Sequence, residues 1–147
     1  MQIRYKRVRD VNPPSRGYSS DAGIDLYIPN DLNWESFTLQ PGTDIRIPSG
    51  IKINIPFGWC ATFLNKSGIA YNKKLIIGGQ LIDSGYHGEI HLHLINVSNN
   101  EIILKRGQKV AQFIVLPVPQ VEMLEVNGYN EESERGTKGF GSTDEND

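Results

Sequence analysis

The sequence reads as an all-β domain of the sandwich, jelly-roll or barrel kind. Three observations predict this. Apolar and polar residues alternate over short segments, as where Ile51, Ile53 and Ile55 are separated by Lys52 and Asn54. Glycine (15 residues) and proline (8) interrupt the chain at short, regular intervals, which is turn punctuation. No long segment sustains the 3.6-residue apolar period of a helix. Many short strands set between turns suit two packed sheets or a closed barrel.

Taken in order, Ile3–Val8 is the first strand, and the five bases within Arg4 to Arg16 belong to its solvated face. Gly23–Tyr27 is the next. Ile45 and Ile47 flank Arg46, and the isoleucines of 51–55 follow the same rule. Successive strand side chains point to opposite faces, so each segment offers one face to a core and one to water. Trp59–Leu64 and Leu75–Ile77 bracket the one helical candidate, a turn or two after Ser67. Leu81-Ile82 is strand-like and runs into a Ser84-Gly85 turn. Ile90, Leu92 and Leu94 then alternate with His91 and His93. Glu101–Leu104, Val110–Leu116 and Val121–Val126 complete the strands. From Asn130 the chain becomes polar and glycine-containing, with Phe140 the apolar exception. Such a segment cannot bury enough surface to offset its ordering entropy. The expected organisation is a β domain over 1–129 and a mobile C-terminal arm over 130–147.

One domain of 147 residues with 38% hydrophobic and 22% charged residues can bury a single core. The net charge of −2 excludes a dedicated basic nucleic-acid binder. That sum conceals a split: residues 130–147 carry six acids and two bases, net −4, which leaves +2 on residues 1–129. Cys60 is the sole cysteine, so an internal disulfide and a cysteine-built zinc site are excluded, and a small buried hydrophobe is its expected role. The longest apolar run, Phe113–Leu116, falls far short of the about 20 residues a membrane helix needs. Met1–Arg7 has charge but no apolar signal core. A soluble, intracellular, cytoplasmic protein is expected, with neither nucleic acid nor membrane as partner.

Several residues have the chemistry of a site. Asp83 stands where a strand ends in a Ser-Gly turn; it either caps the turn or positions and deprotonates a water from a rigid element. Lys66-Ser67-Gly68 opens the helical turn, where a hydroxyl, a cation and backbone N–H groups make an N-cap or an anion site. Asp25 is a solvated or structurally bonded strand residue, Gln112 an amide in an apolar strand, and Tyr86 a bulky residue in a glycine-rich turn. His87, His91 and His93 have even separations, so a strand would place them on one face. Without a nearby carboxylate pattern they read as solvated or interface residues. In the arm, Arg135 can hold phosphate with two hydrogen bonds, Phe140 can stack on a base, and glycine-rich backbone can wrap phosphates.

Five clusters then stand in order: Asp21–Leu26, Lys66–Ala70, Leu81–Glu89, Arg106–Gln112 and Arg135–Thr143. Together they resemble the five motifs of the homotrimeric dUTP diphosphatases (dUTPases), over nearly the whole chain. The resemblance implies a β jelly roll and Mg²⁺-dependent hydrolysis of dUTP to dUMP and pyrophosphate. It also implies active sites each drawing on three subunits. It makes Asp83 the water-activating carboxylate and sets Tyr86 under the deoxyribose, leaving no room for a 2′-hydroxyl. The uracil contacts fall at Leu81, Asp83 and His91, largely through main chain, with Gln80 and Ile82 beside them. Cytosine would leave buried groups unpaired, at about 1–3 kcal/mol each. Lys66, Ser67, Gly68, Gln112 and Arg135 bind phosphate. Asp25 supports the metal–triphosphate region through water. Phe140, Gly141 and Ser142 belong to the arm that closes over a neighbouring subunit's site. The chain departs from the family's motifs at Lys66, where arginine is usual, and at Gln80 and Lys138, where glycine is usual. A side chain at Gln80 would be expected to crowd the base.

Two other readings share the fold. A non-catalytic nucleotide-binding regulator would tolerate the three departures. A dCTP deaminase has a similar hairpin but needs a catalytic glutamate where this chain has His93.

Overall fold

The alternating segments become strands wherever a partner covers the apolar face. A computed structural model describes residues 1–128 together with Ser133, Gly136 and Thr137. The strands are β1 (Arg4–Arg7), β2 (Ile24–Tyr27), β3 (Ser36–Leu39), β4 (Asp44–Pro48), β5 (Ile51–Asn54) and β6 (Trp59–Leu64). After the single helix α1 (Ser67–Lys73) come β7 (Leu75–Ile77), β8 (Leu81–Asp83), β9 (His91–Asn96), β10 (Ile102–Lys105) and β11 (Lys109–Pro117). All the pairings are antiparallel. One sheet runs β2-β11-β6-β8 and another β4-β9-β7, while β1 pairs β5 and β10 pairs β3. The predicted all-β class holds.

The inward faces are those the alternation predicts. Ile51 and Ile53 of β5, Leu92 and Leu94 of β9 and Ile102 and Leu104 of β10 are buried with Leu26, Leu39, Ile47 and Phe63. Their intervening residues, Lys52, Asn54, His91 and Ile103 among them, are exposed. The bases of β1 are exposed too, as expected of a solvated first strand. α1 begins where the sequence suggests and ends at Lys74, whose left-handed φ of 54° lets its N–H reach the Ala70 carbonyl.

Two strand expectations need correction. β3 was not evident from four residues, Ser-Phe-Thr-Leu, because its partner β10 lies more than sixty residues away, with Leu39 opposite Ile102. Val121–Val126 is not a strand. Pro117 and Pro119 lack the N–H that would extend the β11 ladder. The last tie is the Val118 N–H donating to the Gly58 carbonyl at 2.7 Å. Val121, Met123 and Leu124 beyond it are exposed. Cys60 is half-buried rather than a core residue.

Gly50 links β4 to β5 with φ of +74°, and a Cβ there would lie 2.7 Å from Val11 Cγ1. Gly42 has a similar φ of +69° but open space around it. Gly42→Ala should cost about 1 kcal/mol, from backbone strain alone. Gly50→Ala should cost clearly more, about 2–4 kcal/mol, in urea unfolding. Equal losses would show that the close approach of Val11 is not needed.

Candidate active site

The first half of the site is the hairpin-like loop over Leu81–Glu89, which leaves β8, turns sharply and leads to β9 in a different sheet. β8 pairs with β6, placing Leu81 opposite Thr62 and Asp83 opposite Cys60. Ile82 is buried, so its neighbours Leu81 and Asp83 face outward and are exposed. The Tyr86 N–H donates to the Asp83 carbonyl at 3.1 Å and closes the turn. The Tyr86 hydroxyl donates to the Glu89 carbonyl at 2.7 Å. A Cβ at Gly88 would come within 2.4 Å of that hydroxyl, so the turn needs glycine there. Glu89 anchors the hairpin by accepting from Arg9 Nε and from the Gly50 N–H, each at 2.8 Å.

This hairpin and β9 wall a cavity of about 480 Å³, within the usual range of small-molecule sites. Leu81, Ile82, Asp83, Tyr86 and His91 line it together with Gly79, His93, Asp44 and Arg46. The cavity thus gathers the residues expected to meet the base, sugar and attacking water. Gln80 is outside the lining: its amide lies 3.4 Å from the Ile77 carbonyl, to which it donates. The side chain therefore does not crowd the cavity. His91 Nδ1 lies 3.0 Å from the Glu89 carbonyl. His87 lies outside this cavity, beside Arg4, Lys6 and Lys52, so the three histidines do not share a face.

The second half is built around Asp25, which is buried. Its Oδ1 accepts from the Lys66 ammonium, and its Oδ2 lies 2.9 Å from Lys109 Nζ. Burial pushes the Asp25 carboxyl up, but the hydrogen bonds and charges of Lys66 and Lys109 outweigh it and hold the group below the ordinary carboxylate value. The same contact raises Lys109, which also sits 5.6 Å from the Tyr27 ring centre. One carboxylate against two ammoniums leaves the cluster cationic. Gln112 pairs across the ladder with Asp25 and donates from its amide to the Asn65 carbonyl at 2.9 Å. Its Oε1 fills the space that a Cβ on Gly23 would occupy, 2.2 Å away. Lys109 was missed by the sequence reading. A register shift between Lys109 and Ala111 buries Val110 and Ala111 in succession and returns Lys109 and Gln112 to the same side. Period-two alternation carries no mark of such a bulge.

Lys66 occupies the N-cap position of α1, with no side-chain cap, so Ser67 is the first helical residue and not the cap. Ser67 and Gly68 are exposed there. Arg135, Phe140, Gly141 and Ser142 lie outside the described residues. The two halves are well separated within one chain. Asp25 is opposite Gln112 on β11, whereas Asp83 is opposite Cys60, which faces Leu116. Three strand spacings across and four residues along amount to roughly 20 Å.

A buried carboxylate with a depressed pKa contributes stability that is complete above its unfolded value. That stability is lost as pH falls through the folded value. Asp25→Asn should therefore lower stability by about 1–3 kcal/mol at pH 7 and flatten the loss seen below about pH 4. Urea midpoints followed from pH 7 to pH 3 check this. A variant that keeps the parent's full acid sensitivity would contradict the role given to Asp25.

The family model described as dUTPase matches residues 9–144. The deoxyuridine 5′-triphosphate nucleotidohydrolase of Gloeobacter violaceus is 38% identical over 132 residues, spanning 88% of this chain and 87% of the relative. That of Hydrogenobaculum sp. is 32% identical over 146 residues, spanning 97% and 98%. The structure of the Staphylococcus bacteriophage 80alpha dUTPase with dUPNHPP superposes with a TM-score of 0.80 at 25% identity, covering 96% of this chain and 97% of that one. A G164S mutant of the same phage protein gives 0.83 at 24% identity, covering 97% and 98%, and supports the fold. On the match of the family model over residues 9–144 and of relatives over nearly the whole chain, this protein belongs to the dUTPase family.

Proposed function

We propose that this chain hydrolyses dUTP to dUMP and pyrophosphate, with Asp83 as the base. The carrying observation is an exposed carboxylate set at the end of a short strand on the wall of a nucleotide-sized cavity. Main chain at Leu81, Asp83 and His91 reads the uracil edge, with Gln80 and Ile82 holding that strand in place. Tyr86 lies under the deoxyribose; its hydroxyl bond to Glu89 fixes the ring, which suits rejection of a 2′-hydroxyl. Asp83 takes a proton from a water that attacks the α-phosphorus in line with the departing pyrophosphate. Lys66, Ser67, Gly68 and Gln112 stabilise phosphate charge, with Arg135, Phe140, Gly141 and Ser142 supplied by the C-terminal arm. Keeping uracil out of DNA and supplying dUMP are the consequences of such a reaction. We assign it to the cytoplasmic nucleotide pool; among the described residues no helix is long and apolar enough to cross a membrane.

A Mg²⁺ ion fits this chain as a companion of the triphosphate. Among the described residues no three His, Cys, Asp or Glu side chains converge as a cage. Both Asp25 oxygens face ammonium groups, so Asp25 would meet the ion through water. Phosphate oxygens and water are the ligands Mg²⁺ favours. When bound, the ion neutralises phosphate charge and lowers the cost of the charge that develops on the leaving group.

The roughly 20 Å between Asp83 and the Asp25 cluster supports a homotrimer with shared sites. No single chain brings a base pocket and its own cationic cluster to one triphosphate. Closed three-fold symmetry allows the hairpin of one subunit to face the cluster of another.

The experiment is a product assay with dUTP, dCTP, dTTP and UTP, with and without Mg²⁺. Pyrophosphate release with dUTP alone, stimulated by Mg²⁺, is expected. Asp83→Asn should keep nucleotide affinity within about threefold and lower turnover by about 10²–10⁴-fold. Binding of dUTP without turnover by the parent protein would favour a regulator instead, and ammonia released from dCTP would favour a deaminase.

A further inference from the structure

The cavity has a wall that the reaction above does not use. His93 of β9 lies beside the Gly78-Gly79 connection that leads from β7 into β8. The Gly78 N–H donates to the His93 carbonyl at 2.9 Å. The Gly79 N–H donates to the His93 ring at Nδ1, 3.3 Å away. Nε2 on the far side of the ring lies 3.0 Å from Asp44 Oδ2. The ring lies so close over Gly78 that a Cβ there would come 2.0 Å from Nδ1. His93, Asp44 and Gly79 all line the same cavity as Asp83.

The chemistry of the two partners fixes the proton. A peptide N–H can only donate, so Nδ1 holds a lone pair. A carboxylate can only accept, so Nε2 carries the hydrogen. We infer that His93 is a positioning residue for the base pocket: as the neutral Nε2–H tautomer, held by Asp44, it clamps the Gly78-Gly79 turn and so sets the strand that carries Leu81 and Asp83. The inference rests on the dUTPase reading for its substrate, but the tautomer does not.

A second proton on the ring would turn the Nδ1 acceptor into a donor facing the Gly79 N–H. The clamp would open while the pairing with Asp44 persisted. The other charged or titratable groups facing this space are Arg46 beside Asp44 on β4, His91 on β9, and Asp83 and Tyr86 on the hairpin. The connection itself, Gly78–Gln80, brings none. A comparison of variants therefore isolates the ring from them.

His93→Leu removes the acceptor. It should raise KM for dUTP about three- to tenfold at every pH, with kcat changed less than about twofold, because Asp83 keeps its chemistry. His93→Asn places an amide oxygen near the Nδ1 position and does not titrate. It should restore KM to within about twofold of the parent at pH 8. His93→Asn behaving like His93→Leu would overturn the clamp. Nitrogen-resolved NMR of the parent imidazole at pH 8 gives a readout that needs no activity. A protonated Nε2 and bare Nδ1 are expected, and the opposite tautomer would overturn the inference. If the parent does not turn over dUTP, the proposed function fails while the NMR result still decides the clamp.

Discussion

Asp25 is the contact on which the polar half of the molecule depends. It is buried in the β2-β11 ladder, and its carboxylate is shared by Lys66 and Lys109. A lone carboxylate in that place would be costly to ionise, and two neighbouring ammoniums without it would repel one another. Joined, they bring β2, the entry of α1 and the bulged start of β11 to one point. The cluster keeps a surplus positive charge where a triphosphate would need it. Lysine at both positions makes the cations compact point charges; the fork of an arginine, which can take two phosphate oxygens at once, is absent.

The same four-stranded sheet underlies the proposal that one chain is not one site. Its order, β2-β11-β6-β8, puts the Asp25 cluster on one edge and Asp83 on the other. β6 and β11 serve both: Gln112 faces Asp25, and Leu116 faces Cys60, the partner of Asp83. The sheet holds the two clusters at fixed positions, as the proposed shared sites require. The body of the chain is net +2 and the segment after it net −4. The positive body suits a triphosphate.

Much of this was legible from local pattern. Alternation at Ile51–Ile55 and Ile90–Leu94 identified buried faces because strand side chains obey a strict period of two. The hairpin residues were legible because Asp83, Tyr86 and the glycines around them lie within a few positions of one another. What stayed hidden depends on distant partners. β3 has meaning only opposite β10. Lys109 joins Asp25 only because a bulge shifts the register by one. Val121–Val126 has strand-like residues but follows two prolines, and no ladder forms among its described neighbours. His93 looked like one of three equivalent histidines until its partners, Asp44 and Gly79, set it apart from His87 and His91. Gln80 looked like an obstruction until its amide was found turned back to Ile77.

The central claim is that a complete site combines the Asp83 hairpin of one subunit with the cationic cluster of another. Mixing Asp83→Asn with Lys66→Ala, by joint denaturation and refolding, tests it most directly. Each variant alone should turn over dUTP poorly. Random mixed trimers pair an intact hairpin with an intact cluster in about one site in four, so activity should return to about a quarter of the parent's. Activity no greater than the sum of the two separate variants, in trimers shown to contain both chains, would contradict the claim.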